Sequence, residues 1–336
     1  MSQSALTAFA SQSALTAEYD GHNLVIVAGS PRSGTTWFQR LLASHPKIRT
    51  GQESNLFSQH IGPQLTAWRD AADPAYRGGL GLGCYFVEED FVRIVRSYLV
   101  KLLEPMVGNL GPGELFLEKT PGNALYLPEI LELLPRVRVI HVLRDARDVV
   151  CSLTAREAWL STWAPPNAKA AAQMWTRHVK AVRDAASKIP AGQFHEIRYE
   201  TLSRTPVEVM RKTADFLGLD WDIADIEKAI ESNRASKAKE GGGTPIPLQG
   251  EAAKRSGSVV VEPEGFVRKA KSGGWEKDLS LYQKFWVWRA AHQTMEENGY
   301  HWSKSVGIAF PFICSIVNLG KSVFKKHVLG EVQRQA

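Results

Sequence analysis

Short runs of apolar residues alternate along this chain with longer segments in which apolar residues recur every three or four positions. The short runs are typical of buried strands, and the periodic segments are typical of amphipathic helices. The predicted strands are Leu24–Ala28, Leu115–Glu118, Val137–Val142 and Phe194–Arg198. The predicted helices are Thr35–Ser44, Asp90–Met106, Ala124–Leu134, Ala146–Ala155, Ala168–Lys188, Pro206–Leu217, Asp222–Ser232 and Leu281–Asn298. This alternation predicts an α/β fold with a mostly parallel central sheet flanked by helices.

The two ends of the chain depart from this pattern. The segment Ser2–Ala8 recurs identically at Ser11–Ala17, and we expect residues 1–20 to form a flexible leader ahead of one domain at 21–303. The tail, 304–336, begins with an apolar run that is too short to span a bilayer and continues with several lysines. We predict that the tail is a helix packed on the domain. The alternative is an interfacial helix that makes peripheral contact with anionic lipid.

Composition narrows the class of protein. With 336 residues, 44% apolar and 23% charged, the chain is typical of a globular α/β protein, and its net charge of +6 favours an anionic ligand. Zinc-ligand spacings and aromatic RNA-binding motifs are absent from the sequence, so nucleic acid is not an expected partner. The three scattered cysteines predict neither a disulfide framework nor a metal site. Since the first twenty residues lack a signal-peptide pattern, we expect a cytoplasmic protein.

The segment Gly29–Gly34 is the strongest chemical signal. It joins a predicted strand to a helix that begins at Thr35, with the spacing of a Walker loop but with Thr35 at the lysine position. Backbone N–H groups and the helix dipole make such a junction an anion site, and they predict a P-loop-like three-layer fold. Because the Walker lysine holds the β- and γ-phosphates, its absence argues against NTP hydrolysis.

Four segments resemble, in order, the sulfotransferases that use 3′-phosphoadenosine-5′-phosphosulfate (PAPS). Pro31–Trp37 resembles the 5′-phosphosulfate loop of that family, and Arg144–Ser152 resembles its 3′-phosphate motif. Arg198–Leu202 is similar to the segment near the adenine, and Arg268–Trp275 to the late R-K-G-x-x-G-x-W element. The resemblance implies PAPS as co-substrate and no metal.

The resemblance also implies which residues bind PAPS. They are Arg32, Ser33, Gly34, Thr35 and Thr36 at the 5′-phosphosulfate, Trp37 and Tyr199 at the adenine, and Arg144, Ser152, Arg268 and Lys269 at the 3′-phosphate. Trp37 and Tyr199 would fit equally well as buried aromatic residues. Ala270 replaces the family's glycine, so this position has less backbone freedom than in the family pattern. Arg147 and Asp148 are predicted to form a local ion pair.

Transfer of a sulfuryl group needs a cation at the leaving oxygen and a base for the attacking hydroxyl. The resemblance assigns Lys119 to the leaving oxygen and Arg32 to the sulfuryl group. The cytosolic small-molecule branch has a histidine base two residues after the matching lysine, where this chain has Pro121. Glu53 stands twenty-one residues after Arg32, as in the tyrosylprotein branch, and is the predicted base. His60 is the alternative base.

The sequence therefore predicts a sulfotransferase that transfers a sulfuryl group from PAPS to a hydroxyl of a carbohydrate, lipid or small natural product, by in-line displacement. Two alternatives remain at this point: a P-loop kinase-like phosphotransferase, and a non-catalytic binder of anionic surfaces. Four tryptophans near the expected acceptor region could form an aromatic wall or belong to the core: Trp68, Trp159, Trp163 and Trp175.

Overall fold

A single parallel sheet forms the centre of the computed structural model, which describes residues 18–72, 81–155, 163–234 and 272–303 together with Leu15 and Phe310. Its strands are β1 (Leu24–Gly29), β2 (Ile48–Thr50), β3 (Leu115–Lys119), β4 (Arg138–Leu143) and β5 (Phe194–Arg198). Their order across the sheet is β2-β3-β1-β4-β5, and every neighbouring pair is parallel. The predicted fold class is confirmed, and β2 is a strand that the sequence pattern missed.

Helices and short turns connect the strands. The helices are α1 (Thr35–Leu42), α2 (Gly62–Ala72), α3 (Glu88–Val107), α4 (Leu127–Leu133), α5 (Ala146–Leu153), α6 (Ala168–Ala186), α7 (Tyr199–Arg204), α8 (Pro206–Leu217), α9 (Ile223–Ser232), α10 (Trp275–Asp278) and α11 (Leu281–Glu297). A π-type turn covers Leu56–Ile61, and 3₁₀ turns cover Leu82–Cys84 and Pro121–Leu125. The helix predicted at Ala124–Leu134 is thus divided between the second 3₁₀ turn and α4.

The sheet is buried on both faces, as a parallel sheet with crossover helices requires. In β1, Leu24 and Ile26 belong to one apolar cluster, whereas Val25 and Val27 belong to another. The first cluster includes α3, α4 and part of α6, and the second includes α1, α8 and α9. The result is a three-layer arrangement in which the loops at the carboxyl ends of the strands stay accessible to ligands.

Two of the four tryptophans belong to the interior. Trp175 is fully buried in a third cluster formed by α5, α6 and α11, and its indole N–H donates to the Arg144 carbonyl oxygen at 2.9 Å. Trp68 is buried and stacks on Phe91 with ring centroids 4.2 Å apart. Trp163 is 44% exposed, and Trp159 lies outside the described residues. The core interpretation therefore holds for Trp68 and Trp175.

Most of the two chain ends lies outside the described residues, so the leader, the tail and the domain limits stay predictions. Phe310 is the one described residue of the predicted tail. It is buried and packs edge-on against Phe285 and Trp288 of α11. Within the described ranges, none of the helices combines the length and apolar character that crossing a bilayer requires.

Acid is expected to destabilise the fold through His178 of α6. Burial lowers the pKa of this imidazole to about 4, although its Nδ1–H donates to the Met174 carbonyl. Between pH 6.5 and about 4 the unfolded chain binds a proton here that the folded chain does not, so stability falls as the pH is lowered. Between pH 7 and pH 5, the titration of His178 should lower the free energy of unfolding by about 2 kcal/mol.

Urea unfolding of the wild type and of His178→Gln at both pH values measures this contribution. The variant should lose less stability on acidification, whereas His22→Gln, at an exposed histidine, should behave like the wild type. Equal losses in the wild type and in His178→Gln would contradict the assignment.

Candidate active site

The loop between β1 and α1 has a backbone conformation that residues other than glycine rarely adopt. The Ser33 N–H donates to the Ser30 carbonyl at 3.1 Å, which closes a tight turn with Pro31 and Arg32 at its centre. Arg32 has a φ of 70°, at the turn position where glycine is usual. A non-glycine residue in this region costs about 1–3 kcal/mol and persists where the surroundings hold it, often at ligand sites.

Gly34 is the N-cap residue of α1, and a larger residue there would displace its neighbour. Its φ is 93°, and a Cβ atom there would lie 2.4 Å from the Tyr199 ring. It offers no side-chain cap, so the first N–H groups of α1 remain available to a ligand. The Ser33 hydroxyl is buried and has no hydrogen-bond partner among the residues that the structure describes. Orphan donors at a helix N-terminus fit a phosphate or sulfate group.

The structure brings Lys119, Thr36 and Glu53 together beside this loop. Lys119 is the last residue of β3, next to β1, and its ammonium donates to Thr36 Oγ1 at 3.2 Å. The same ammonium forms an ion pair with the Glu53 carboxylate. The Lys119 side chain is 5% exposed and that of Glu53 is 41% exposed. His60, the alternative base, lies exposed on the π-type turn.

Residues that follow β4 and β5 form the other half of the site. Arg144 donates to the Arg32 carbonyl at 3.1 Å, and its guanidinium lies 4.0 Å above the Tyr199 ring. Arg32 Nε donates to Ser152 Oγ at 3.0 Å. Burial raises the pKa of the Tyr199 phenol, so it stays neutral and serves as a packing surface. Arg32, assigned by the resemblance to the sulfuryl group, thus contacts the predicted 3′-phosphate side in this structure.

Trp37 lies between the loop and α9. Its ring meets Tyr199 edge-on at 5.8 Å between centroids, and its indole N–H donates to the Asn233 carbonyl oxygen at 3.0 Å. No sequence pattern indicates this contact, because Asn233, at the end of α9, lies almost two hundred residues after Trp37. The contact fixes Trp37 at the edge of the site.

The predicted ion pair between Arg147 and Asp148 is wrong. Arg147 pairs with Asp145, which caps α5, and the closest atoms are 2.6 Å apart. Asp148 accepts hydrogen bonds from the backbone N–H groups of Gly273 at 2.8 Å and Trp275 at 3.1 Å. Burial raises the pKa of the Asp148 carboxyl, and these two donors oppose that rise. Asp148 therefore fastens the start of α10 to α5.

Most of the predicted site residues meet at one edge of the sheet. They follow the carboxyl ends of β1, β3, β4 and β5, or lie on the helices that begin there, which is where open α/β sheets bind ligands. Arg268 and Lys269 lie outside the described residues, so their role stays a prediction. Across the described part of the chain, the acidic, histidine and cysteine side chains make no group of three or more that could hold a metal ion.

A parallel α/β sheet with an anion loop after its central strand, and with cations at the two neighbouring strands, defines a P-loop-like fold for group transfer. Comparison of the sequence with known protein families identifies which family of group-transfer proteins it is. The model of the sulfotransferase family matches residues 25–223. The chain belongs to the sulfotransferase family, which confirms the resemblance drawn from its motifs.

The most similar curated proteins include protein-tyrosine sulfotransferases. The Drosophila melanogaster enzyme is 23% identical over 71% of this chain and 45% of its own length. Protein-tyrosine sulfotransferase A of Caenorhabditis elegans is 23% identical over 60% of this chain and 53% of its own length. The chain thus spans about half the length of these relatives. Mouse sulfotransferase SULT7A1, solved in complex with PAP, has the same fold, with 14% identity, a TM-score of 0.51, and coverage of 87% of this chain and 90% of that one.

Proposed function

We propose that this protein is a PAPS-dependent sulfotransferase that transfers a sulfuryl group to the phenolic hydroxyl of tyrosine in a polypeptide. The contact of Lys119 with both Thr36 and Glu53 supports this proposal most directly. It joins the anion loop, where the donor would bind, to a carboxylate that can take a proton from the acceptor. Membership of the family and the protein-tyrosine relatives add support.

The residues present fit PAPS. Bound PAPS would supply an activated sulfuryl group on its 5′-phosphate. The buried Ser33 hydroxyl, the uncapped start of α1 and the side chain of Thr36 offer donors for the 5′ end. Arg144 and Ser152, already linked through Arg32, offer a cation and a hydroxyl for the 3′-phosphate. A 3′-phosphate site is what separates this donor from ATP.

The Lys119–Glu53 pair has a buried end and an accessible end. The ammonium is almost fully buried beside the anion loop, where it would stabilise negative charge that develops on the leaving oxygen. The carboxylate is 41% exposed, so an acceptor hydroxyl can reach it from solvent. Glu53 would accept the acceptor's proton, in the role of a general base.

A tyrosine acceptor suits a carboxylate base better than a sugar or lipid alcohol does. A phenol has a pKa of about 10, so it gives up its proton far more readily than an aliphatic hydroxyl. The curated relatives also favour tyrosine over the carbohydrate, lipid or small-product hydroxyls predicted first.

Of the two alternative functions, the match to the sulfotransferase family disfavours the kinase-like phosphotransferase. The non-catalytic surface binder depends on a tail that lies outside the described residues. The cytoplasmic location stays a prediction.

Calorimetric titration with PAP (3′-phosphoadenosine-5′-phosphate) and with AMP tests the donor site. The wild type should bind PAP at least tenfold more tightly than AMP, because only PAP has the 3′-phosphate that Arg144 would contact. Arg144→Ala should weaken PAP binding by about 10–100-fold and leave AMP binding within about twofold. Arg138→Ala, at the opposite end of β4, is the matched control and should bind PAP like the wild type.

Equal affinity of the wild type for PAP and AMP would overturn the PAPS proposal. The acceptor is tested separately, with PAPS and a tyrosine peptide beside the same peptide carrying phenylalanine. Sulfation of the tyrosine peptide alone supports the proposal, and transfer only to sugars or lipids would contradict it.

A further inference from the structure

Three consecutive residues of one loop contact three consecutive residues at the end of β3. Glu53 forms the ion pair with Lys119. The Ser54 hydroxyl donates to Glu118 Oε1 at 2.7 Å. The Asn55 N–H donates to Thr120 Oγ1 at 3.3 Å. The segment that contains the proposed base is thus attached to the strand that ends in the proposed cation at three successive points.

Glu118 is the centre of this attachment. It is 1% exposed, and its carboxylate accepts hydrogen bonds from the hydroxyls of Ser54 and Thr120, at 2.7 and 2.6 Å, and from the Asn123 amide. Burying a carboxylate is costly unless its oxygens are hydrogen-bonded. These neutral donors satisfy it, and the same bonds tie the loop at 53–55 to the turn that follows β3.

The loop held in this way is conformationally unusual. Asn55 has a φ of 51°, in the left-handed region, and the π-type turn begins directly after it. The Leu56 N–H donates to the Ser54 hydroxyl at 3.2 Å, so Ser54 connects Glu118 to the start of the turn. Backbone of this kind costs energy and persists only when neighbouring groups fix it, and π-type turns are frequent at functional sites.

We propose that Glu118 is a positioning residue for the reaction. It holds Ser54, and through Ser54 it keeps the Glu53 carboxylate at Lys119 and open to the acceptor. Glu118 and Lys119 are adjacent on β3, so their side chains leave the strand on opposite faces. Glu118 therefore holds the loop at 53–55, while Lys119 faces the site where the sulfuryl group would be transferred. This role depends on the proposed sulfotransferase activity.

Removing the Glu118 carboxylate should therefore lower kcat and leave the affinity for the donor unchanged. A displacement of about 1 Å at a reacting group can lower a rate by about 10²-fold. The donor loop and the Arg144 side are built from β1, β4 and β5 and do not include Glu118. PAP affinity therefore reports on the donor site independently of the loop at 53–55.

Four variants test the proposal. Glu118→Met keeps the length of the side chain but removes the acceptor, and Glu118→Gln keeps an acceptor oxygen for Ser54. Ser54→Ala removes the hydroxyl donor and leaves only the longer bond from the N–H of residue 54 to Glu118 Oε1, at 3.4 Å. It leaves Glu118 in place, which keeps the test valid even where Glu118→Met folds poorly. The double variant, Ser54→Ala with Glu118→Met, measures whether the two residues act through each other. Glu114→Met is the matched control, because Glu114 pairs with Arg49 at the opposite end of β3.

We expect Glu118→Met to lower kcat by about 10–100-fold and Ser54→Ala by about tenfold, both with unchanged PAP affinity. Glu118→Gln should retain kcat within about threefold, and the double variant should lose no more than Glu118→Met alone. Glu114→Met should keep the wild-type kcat.

Losses that multiply in the double variant, or a wild-type kcat in folded Ser54→Ala and Glu118→Met, would overturn the proposal. A wild type that fails to transfer a sulfuryl group at all would instead refute the proposed function. Thermal unfolding, recorded for each variant, separates a loss of folded protein from a loss of kcat.

Discussion

Replacing Lys119 with methionine is expected to lower kcat for sulfuryl transfer by about 10²–10³-fold. Methionine matches the length of lysine but cannot stabilise negative charge on the leaving oxygen, and a fixed cation in a site that excludes water is worth several kcal/mol there. The Lys119 ammonium is almost fully buried, so water cannot replace it efficiently. The loss should appear in kcat more than in the KM for PAPS, because the charge develops only as the bond to the leaving oxygen breaks.

Steady-state rates with PAPS and a tyrosine peptide measure this effect. Lys212→Met, at an exposed lysine of α8 that pairs with Glu208, is the control and should keep the wild-type rate. A Lys119→Met enzyme that retains more than a fifth of the wild-type kcat would show that another group stabilises the leaving oxygen.

Replacing Glu53 with glutamine is expected to lower kcat by about 10²–10⁴-fold. The change preserves the shape of the side chain and removes its ability to accept a proton, which is the part of general base catalysis that this residue would supply. Affinity for PAP should stay close to that of the wild type, because Glu53 lies on the acceptor side of Lys119. Rates at saturating concentrations of both substrates, together with PAP titration, measure the two effects separately.

His60→Gln decides between the two candidate bases. Since His60 lies exposed on the π-type turn, its replacement should leave kcat within about twofold of the wild type. A large loss in His60→Gln with a small loss in Glu53→Gln would reverse the assignment.

The sequence was sufficient to predict where the anion loop and the residues beside it lie. The strand at Leu24, the turn with Pro31, and the glycine before Thr35 each have a strong local signal, so the loop and its neighbours could be placed without long-range information. Lys119 and Arg144 could be placed for the same reason, because each ends or directly follows a strand whose apolar run is unmistakable.

The loop at 53–55 and the strand before it were harder to predict, because their structure depends on contacts between distant residues. β2 has only three residues, and its register is set by pairing with β3 rather than by its own pattern. The turn at Leu56 begins from a left-handed Asn55, which no periodicity reveals. Glu118 had one available signal, a carboxylate directly after the apolar residues of a buried strand, and such residues are rarely buried without a specific set of partners.

The error at Arg147 has a different cause. Two acidic residues stand close to it in the chain, and sequence distance cannot decide between Asp145 and Asp148. The helix cap decides: Asp145 turns back towards the first N–H groups of α5, within reach of the guanidinium. Asp148 is thereby left to accept from Gly273 and Trp275, a pairing across more than a hundred residues.

The contacts of Arg147 also join α5 to a segment far beyond it in the chain. Its guanidinium lies 4.1 Å from the Trp275 ring and 4.9 Å from the Trp302 ring, and it donates to the His301 carbonyl. The match to the family model ends at residue 223, well before these aromatic residues. A fragment cut at that limit would keep α5 but expose the Arg147 guanidinium and the Asp148 carboxylate, which the later segment covers. We therefore expect a stable fragment to need residues beyond 223, and chimaeras should exchange the two parts together.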